Sequence, residues 1–390
     1  MKVNPKYPIA FFIFLLAVFI INYVVAFVPN DILTHVGHIL KIKQGTHPYP
    51  ANFLFYLIVN VLTFFTITKN SVLTVAILVL AAATMFKYIV TCSALNYFSK
   101  EYKLDLNPRK IPWISLVLFF CFSIPDWYGV GELGCYYLGR TVPIAWHNST
   151  MILVFPFAIL LFWKQLELFR AQKHSTRQLL LLTFLVILNI IIKPSFLFVY
   201  LPVTGLFLLG NIKKTGLKNA MLGIIPLAAG ALFIAAQYIL IYVFQLSATN
   251  QVTSGIQLTT PFYVLGLWIP KTYIPIAYLM SFILPLSTLF LYPKVIRFKP
   301  FNYSFWLMVA GILLSAFVAE IGHRMDHGNF FWQNVVCVYV LFVSNVLFLL
   351  KQRAEGSNSW KIYLLFSIFG IHVISGVGYI IYILSTNSYY

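Results

Sequence analysis

Charged residues are scarce in this chain. They make up only 9% of its 390 residues, whereas a soluble globular domain carries about 25%. Hydrophobic residues make up 61%, and uncharged apolar runs such as 11–28, 221–244 and 331–350 are long enough to cross a bilayer. Because these runs lack alternation of apolar and polar residues, they exclude a β-barrel. The sequence therefore predicts an all-α, polytopic transmembrane helical bundle.

We expect about 11 to 13 spans in a single integral membrane domain over residues 1–390, with no separate soluble domain. The candidate spans are residues 8–28, 51–67, 71–98, 111–125, 150–169, 178–192, 196–210, 219–244, 273–293, 303–320, 329–350 and 361–384. The first is longer than the core of a signal peptide and lacks a small-x-small cleavage site. We therefore interpret it as a retained span.

Cysteine is also scarce, which limits the chemistry that it can support. The chain has four cysteines, of which Cys92, Cys121 and Cys337 fall in apolar runs and Cys135 falls in a polar loop. This spacing matches neither a disulfide framework nor a zinc motif. The sequence therefore predicts no metal ligands among these residues.

Acidic residues are far fewer than basic ones, nine against 27, which gives a net charge of +18. The basic residues do not form one patch, so we exclude nucleic acid as a partner. Most of them occupy the N-terminus and the loops 99–110, 170–177, 211–218, 294–300 and 351–361. The positive-inside rule places such loops in the cytoplasm. The less basic loops 29–50, 126–149, 245–272 and 320–328 are then expected to face outward.

The number of crossings between loop 29–50 and loop 99–110 presents two alternatives. If these loops face opposite sides, an odd number of crossings must separate them, but hydropathy gives two segments. Either one segment is a partial or interfacial helix, or residues 71–98 break near Lys87 into two short helices. The sequence alone does not choose between them.

Groups suited to acid–base chemistry collect in or at the outward loops. Five of the nine acidic residues and six of the eight histidines are found there. They are Asp31, Asp126, Glu132, Glu320, Asp326, His35, His38, His47, His147, His323 and His327. Orientation rules depend little on acidic residues and do not involve histidine. The clustering therefore favours a functional site on the outward side.

The first candidate site follows the first span, where Asp31, His35 and His38 lie at helical spacing. On a helix, positions i and i+4 share one face. A carboxylate beside an imidazole can act as a general base or as half of a metal site. The alternative is that Asn30 or Asp31 caps a helix and His35 is a surface partner.

The second candidate site packs ionisable groups between two apolar segments. Its residues are Glu320, His323, Arg324, Asp326, His327 and Asn329. Ionisable groups at membrane depth are costly and mark functional pathways, and Arg324 and His323 suit a phosphate or diphosphate. A solvated turn at Gly328 and Asn329 is the alternative.

Two further segments are candidates for binding substrate. Loop 126–149 contains Arg140 and the run Trp146-His147-Asn148, which suit a sugar as well as they suit the aromatic belt at a membrane interface. Lys193 precedes a proline between two short spans, where it either snorkels to the interface or holds an anionic lipid head group.

These motifs together resemble the GT-C superfamily of membrane glycosyltransferases. The segments that carry the resemblance are Asp31 after the first span, Trp146-His147-Asn148-Ser149-Thr150, Lys193-Pro194-Ser195-Phe196 and His327-Gly328-Asn329-Phe330-Phe331-Trp332. The resemblance implies a polyprenyl-phosphate-linked sugar as donor and an acidic catalytic residue in the first outward loop. Many members have two acids there, whereas Ile32 follows Asp31. This departure favours a lone base and leaves a divalent metal open as a cofactor.

The resulting hypothesis is hexosyl or pentosyl transfer to an envelope glycan or glycolipid acceptor, in a bacterial cytoplasmic membrane. Asp31 and His35 are the predicted catalytic residues. The predicted substrate-binding residues are His38, Arg140, Trp146, His147, Asn148, Lys193, Glu320, His323, Arg324, His327 and Asn329. Membrane lipids are further expected partners. A transporter or flippase for a lipid-linked or anionic solute and a polysaccharide polymerase are the alternatives; the chain lacks the internal repeat that many transporters have.

Overall fold

The structure is a computed structural model that describes residues 4–64, 66–104, 106–244, 255–322, 325, 328–357 and 359–389. Within these ranges the chain folds as a bundle of α-helices. Eight helices are long and apolar enough to cross a membrane, and two shorter apolar helices accompany them. The predicted all-α polytopic bundle is confirmed. The protein is therefore an integral, multi-pass membrane protein.

Fifteen α-helices are present in the described ranges. They are α1 Lys6–Phe27, α2 Asp31–Lys43, α3 Leu54–Leu62, α4 Lys69–Glu101, α5 Ile111–Phe119, α6 Ser149–Arg170, α7 Thr176–Ile192, α8 Leu197–Gly210, α9 Ile212–Thr215, α10 Leu217–Tyr238, α11 Leu265–Trp268, α12 Ile274–Leu291, α13 Lys299–Phe317, α14 Gln333–Ala354 and α15 Trp360–Thr386. Two short strands, β1 Ile256–Leu258 and β2 Val318–Glu320, pair antiparallel, with Ile256 opposite Glu320.

Several helices begin at a polar residue that satisfies a backbone donor of the first turn. The side chains of Asn30, Thr68, Asn148 and Ser175 each accept a hydrogen bond from a backbone N–H of the helix that follows. The first N–H groups of a helix have no partner within it, so such caps stabilise the start. The caps fix where α2, α4, α6 and α7 begin.

Helix α14 lies at the centre of the bundle, and α10 lies at its edge. Of the most apolar stretch of α14, 94% is buried, against 17% for the corresponding stretch of α10. Helix α14 packs against α13, α12, α15 and α6, whereas α10 packs mainly against α7 and α8. The exposed apolar face of α10 is therefore the kind of surface that faces lipid.

Two predicted spans, 51–67 and 111–125, contain only the nine-residue helices α3 and α5. At 1.5 Å per residue each helix is about 14 Å long, less than the ~30 Å of a hydrocarbon core. Helix α4 has 33 residues and continues without a break through Lys87. The first of the two alternatives therefore holds, because α3 is a partial helix and α4 is the one crossing between loops 29–50 and 99–110.

After α5 the chain continues to Asp126 without regular structure, packed against α15. The backbone N–H of Phe122 donates to the carbonyl of His372 at 3.0 Å. A Cβ added at Gly376 would lie 1.6 Å from the carbonyl oxygen of Phe120. A glycine at 376 is therefore required for the close approach of this segment to α15.

The second part of loop 126–149, from Cys135 onward, returns into the bundle and is mostly buried. The Nζ of Lys87, near the middle of α4, donates to the carbonyl of Pro143 at 2.9 Å. The same ammonium lies over the rings of Phe155 and Tyr339, at 3.8 and 4.2 Å from their centroids. Irregular backbone is tolerated at membrane depth where protein surrounds it. The loop thus brings the residues at its end to the beginning of α6.

Candidate functional site

Asp31 is held in a defined orientation by the segment that opens α6. Its backbone N–H donates to the carbonyl of His147 at 3.0 Å, and its carboxylate oxygen Oδ2 accepts from Nδ2 of Asn148 at 2.7 Å. Asn30 is the residue that caps α2. The capping alternative therefore applies to Asn30, and the other carboxylate oxygen of Asp31 accepts no hydrogen bond from the described residues.

Asn148 connects the start of α6 to this carboxylate. Its Oδ1 accepts from the backbone N–H of Met151 at 3.0 Å and so caps the helix. Its Nδ2 is then directed at Asp31. The sequence predicts that Asn148 binds substrate, and in the structure its side chain contacts the carboxylate of Asp31.

Two imidazoles flank Asp31. Burial, together with the nearby Lys193, lowers the pKa of His35 and of His147 to about 4, although Asp31 raises both. In each ring Nδ1 is buried and has no hydrogen-bond partner among the described residues. Both rings are therefore neutral near pH 7 and able to accept a proton.

Lys193 approaches the same place from the junction of α7 and α8. Its side chain is buried, its Nζ lies 3.4 Å from Oγ1 of Thr150, and it lies 5.1 Å from the centroid of the Trp332 ring. The ammonium therefore points into the protein. Snorkelling to the interface, one of the two alternatives for this lysine, does not describe its position.

Aromatic rings close the site around His147. Its ring stacks on Tyr389 at 4.2 Å, and it contacts Trp332 at 5.6 Å and Tyr137 edge-on at 5.3 Å. Trp332 thus contacts both His147 and Lys193. We call Asp31, His35, His147, Asn148 and Lys193, with these rings, the Asp31 site.

His38 and Trp146 lie next to this site without joining its centre. His38 is one turn after His35 on α2, half-buried, with its ring 6.5 Å from that of Tyr56. The ring of His35 stacks on the same tyrosine at 5.4 Å. Trp146 is buried and packs edge-on against Phe119 at 6.2 Å. Tyr56 connects the two histidines and was not among the predicted residues.

Arg140, a predicted substrate-binding residue, lies in an internal hydrogen-bond network. One terminal nitrogen donates to Asp126 and Tyr273, both at 2.6 Å, and the other donates to the carbonyl of Ile124 at 2.6 Å. The guanidinium is fully buried. Burial by itself raises the pKa of the Asp126 carboxyl. The hydrogen bonds from the backbone N–H of Gly129, from Tyr273 and from Arg140 outweigh this effect and hold the pKa below its ordinary value. Arg140 therefore holds the returning loop.

The second predicted cluster is described in part. Glu320 is buried at the end of β2 and accepts a hydrogen bond from Nδ2 of Asn329. A small cavity between them and Trp268 is lined mostly by apolar side chains. His323, Arg324, Asp326 and His327 lie outside the described residues. In the described ranges no three His, Cys, Asp or Glu side chains are grouped to hold a metal ion.

The structure brings together four segments that are far apart in the chain. These are the start of α2, the start of α6, the turn after α7 and the segment before α14. Comparison with family models, curated proteins and solved structures gave no match. The chemistry of the Asp31 site is therefore argued from its geometry.

Proposed function

We propose that the protein is a membrane glycosyltransferase. It would transfer a hexosyl or pentosyl group from a polyprenyl-phosphate donor to an envelope glycan or glycolipid acceptor, at the outward side of a bacterial cytoplasmic membrane. The observation that carries this proposal is the placement of Asp31, whose carboxylate accepts from Asn148 and whose backbone N–H donates to the His147 carbonyl, with the Lys193 ammonium in the same site. The GT-C resemblance of these segments is in accord with it.

In the proposed reaction Asp31 is the general base. It takes the proton of the acceptor hydroxyl while the acceptor oxygen forms a bond to the anomeric carbon. The bond from that carbon to the phosphate oxygen breaks, and its electron pair stays on the polyprenyl phosphate. Lys193 stabilises the negative charge that develops on the phosphate. A direct displacement of this kind inverts the anomeric configuration.

The neutral imidazoles of His35 and His147 suit this scheme. A neutral ring does not compete with the Lys193 ammonium for the charge of the leaving phosphate, and it can relay the proton that Asp31 receives. Asp31 is the one acid that contacts Asn148 and the His147 backbone in the described ranges. A role as base therefore fits it better than a role as one of several metal ligands.

An apolar groove beside the site supports a lipid-linked donor. It has a volume of about 560 Å³ and lies between α8 and α10. Leu197 and Phe198, only a few residues after Lys193, form one wall, and Ile234 and Tyr238 form the other. Because α10 is the helix most exposed to lipid, a polyprenyl chain can enter here while its phosphate reaches Lys193.

The test is the release of polyprenyl phosphate by the purified protein from a panel of polyprenyl-phosphate hexoses and pentoses. We expect Asp31→Asn to lower the rate by about 100-fold or more while leaving the thermal unfolding midpoint unchanged. Glu132→Gln is the matched control, because Glu132 is an exposed acid on the same side. Full activity in Asp31→Asn would refute the assignment of the base.

The same variants separate the enzyme from a transporter or flippase. A flippase needs Lys193 and the groove to hold a lipid phosphate, but it needs no base. The assay follows translocation of a fluorescent polyprenyl-phosphate sugar across the membrane of vesicles. Equal translocation by wild type and Asp31→Asn, with no cleavage of the sugar–phosphate bond, would favour the flippase. Release that depends on Asp31 favours the transferase.

A further inference from the structure

A second large cavity lies at the opposite end of the bundle, where the basic loops collect. It has a volume of about 930 Å³ and is bounded by the ends of α4, α6, α12 and α14 and the starts of α13 and α15. Seven lysine and arginine side chains line it, and none of its lining residues is acidic. We call it the basic cavity.

The basic cavity is separate from the Asp31 site. Helix α6 begins at the Asp31 site and ends with Arg170 in the wall of the basic cavity. A helix of 22 residues is about 33 Å long. The two sites are therefore on opposite sides of the membrane core, and no single head group reaches both.

Most of the positive charge in the basic cavity is uncompensated. Arg170 pairs with Glu101 and Lys351 pairs with Glu355. The other five cations have no acidic partner in the described part of the chain; they are Lys214, Lys294, Arg297, Lys299 and Lys361. Lys299 donates to the carbonyl of Phe169 at 2.9 Å, which does not neutralise its charge.

The positive-inside rule explains basic loops but not their convergence. Cations on separate loops can extend into water, where their repulsion is weak. Here they approach one concave surface from several different elements: Lys214 from α9, Arg297 from the turn before α13 and Lys361 from α15. A concave surface lined by cations and by no acidic residue concentrates a positive potential, which attracts an anion.

One wall of the basic cavity is aromatic. The Tyr102 and Phe298 rings are 4.8 Å apart, Phe298 and Phe348 are 5.9 Å apart, and Phe348 and Tyr292 are 5.9 Å apart. The strip is therefore continuous, and the guanidinium of Arg170 lies over Tyr102 at 4.8 Å. A soluble anion needs no such wall, whereas the glycerol and upper acyl carbons of a lipid would pack on it.

We propose that the basic cavity binds the phosphate-bearing head group of an acidic phospholipid from the cytoplasmic leaflet. The lysines and arginines contact the phosphate, and the aromatic strip contacts the apolar part of the same lipid. Basic pockets between transmembrane helices on the cytoplasmic side are suited to such head groups. The bound lipid holds the ends of α6, α13 and α15 together by charge, independently of the reaction at the Asp31 site.

The experiment measures lipid binding to the purified full chain by native mass spectrometry and by thermal unfolding. The probes are cardiolipin and phosphatidylglycerol, with phosphatidylcholine as the neutral lipid and pyrophosphate as the soluble phosphate. We expect the two acidic lipids to bind and to raise the unfolding temperature, and phosphatidylcholine and pyrophosphate to do neither.

The variant Lys294→Gln/Arg297→Gln removes two charges of the basic cavity. It should weaken binding of the acidic lipids by about tenfold or more, since each such charge contributes about 1 kcal/mol. Lys173→Gln/Lys218→Gln is the matched control, because both lysines are exposed at the same end and outside the cavity. Its binding should match wild type.

Three results would overturn the proposal. The first is an equal loss of lipid binding in the two double variants, which would indicate general attraction to a basic surface. The second is binding of pyrophosphate without binding of acidic lipid, which would indicate a soluble ligand. The third is equal binding of phosphatidylcholine and phosphatidylglycerol to wild type. The last comparison needs no variant, so it applies even where the cavity variant does not fold.

Discussion

The two ends of the bundle differ in how far their ion pairs are exposed to solvent. Arg140 and Asp126, at the histidine-rich end, pair at 2.6 Å with side chains 0% and 13% exposed. Lys351 and Glu355, at the basic end, pair with side chains 29% and 52% exposed. Removing one partner of a buried pair leaves an uncompensated charge in the interior, which costs a large free energy, whereas removing one partner of an exposed pair costs little.

The histidine-rich end therefore holds charges in fixed positions, and the basic end holds them near water. Fixed positions suit chemistry, because a reacting group must keep its geometry. Loosely held cations suit an anion that brings its own counter-charge. The predictions below test this contrast, from the largest expected effect to the smallest.

Arg140→Ala should lower the free energy of unfolding by about 3–5 kcal/mol, because it leaves the carboxylate of Asp126 without its buried partner. The measurement is denaturant or thermal unfolding in detergent. Arg109→Ala, an exposed arginine at the basic end, is the control and should change stability by less than about 0.5 kcal/mol. Equal stability of the two variants would contradict the structural role of Arg140.

Asn148→Ser should separate the two roles of Asn148. A serine still caps α6, but it lacks the Nδ2 donor that orients the carboxylate of Asp31. We expect a loss of activity of about 10- to 100-fold with an unchanged unfolding temperature. Asn148→Ala, which removes both functions, should lower both activity and stability. A fully active serine variant would show that Asp31 needs no such orientation.

Lowering the pH should destabilise the histidine-rich end. A histidine in the unfolded chain titrates near pH 6.5, whereas His35 and His147 titrate near 4 in the folded chain because they are buried. Between these two pH values the unfolded state therefore binds more protons than the folded state. The free energy of unfolding falls as the pH is lowered from about 6.5 to about 4. Above this window the two histidines add no pH dependence.

The check is the unfolding temperature between pH 7.5 and pH 4.5. His35→Asn should flatten part of the decrease, whereas His47→Asn, at the rim of the same end, should not change it. A decrease of the same size in wild type and His35→Asn would exclude His35 as a source of the pH dependence.

Glu355→Gln should have the smallest effect. It removes an exposed ion pair between positions i and i+4 of one helical stretch, a contact that contributes about 0.3–0.5 kcal/mol. Unfolding in detergent at low salt is the measurement. A loss close to that of Arg140→Ala would remove the contrast between the two ends.

Hydropathy predicted the long helices well because their apolar length is a local property of the chain. It could not predict that 111–125 is only half helical, since the segment is equally apolar in either conformation. The non-helical part packs against α15 at Gly376, some 250 residues away, where the absence of a side chain leaves room for the carbonyl of Phe120. The partial helix α3 shows the same limit, since hydropathy measures composition and not where the helix stops.

For the Asp31 site, the sequence identified individual groups but not their partners. Asp31, His147 and Lys193 were identified because polar residues are rare in so apolar a chain. The sequence could not predict that Arg140 pairs with Asp126, because that pairing depends on tertiary folding. Tyr56 was missed because aromatic residues are abundant here and carry no signal of their own.

The hydrogen bond between Lys87 and Pro143 bears on how the protein is made. Its two partners are 56 residues apart in the chain. At about 5–20 residues per second, a ribosome needs roughly 3–11 s to synthesise the intervening segment. During that interval α4 carries an ammonium ion in its middle with no carbonyl to receive it. Lateral release of α4 into lipid is therefore unfavourable until loop 126–149 has been translated, and the helix is expected to wait beside the insertion machinery.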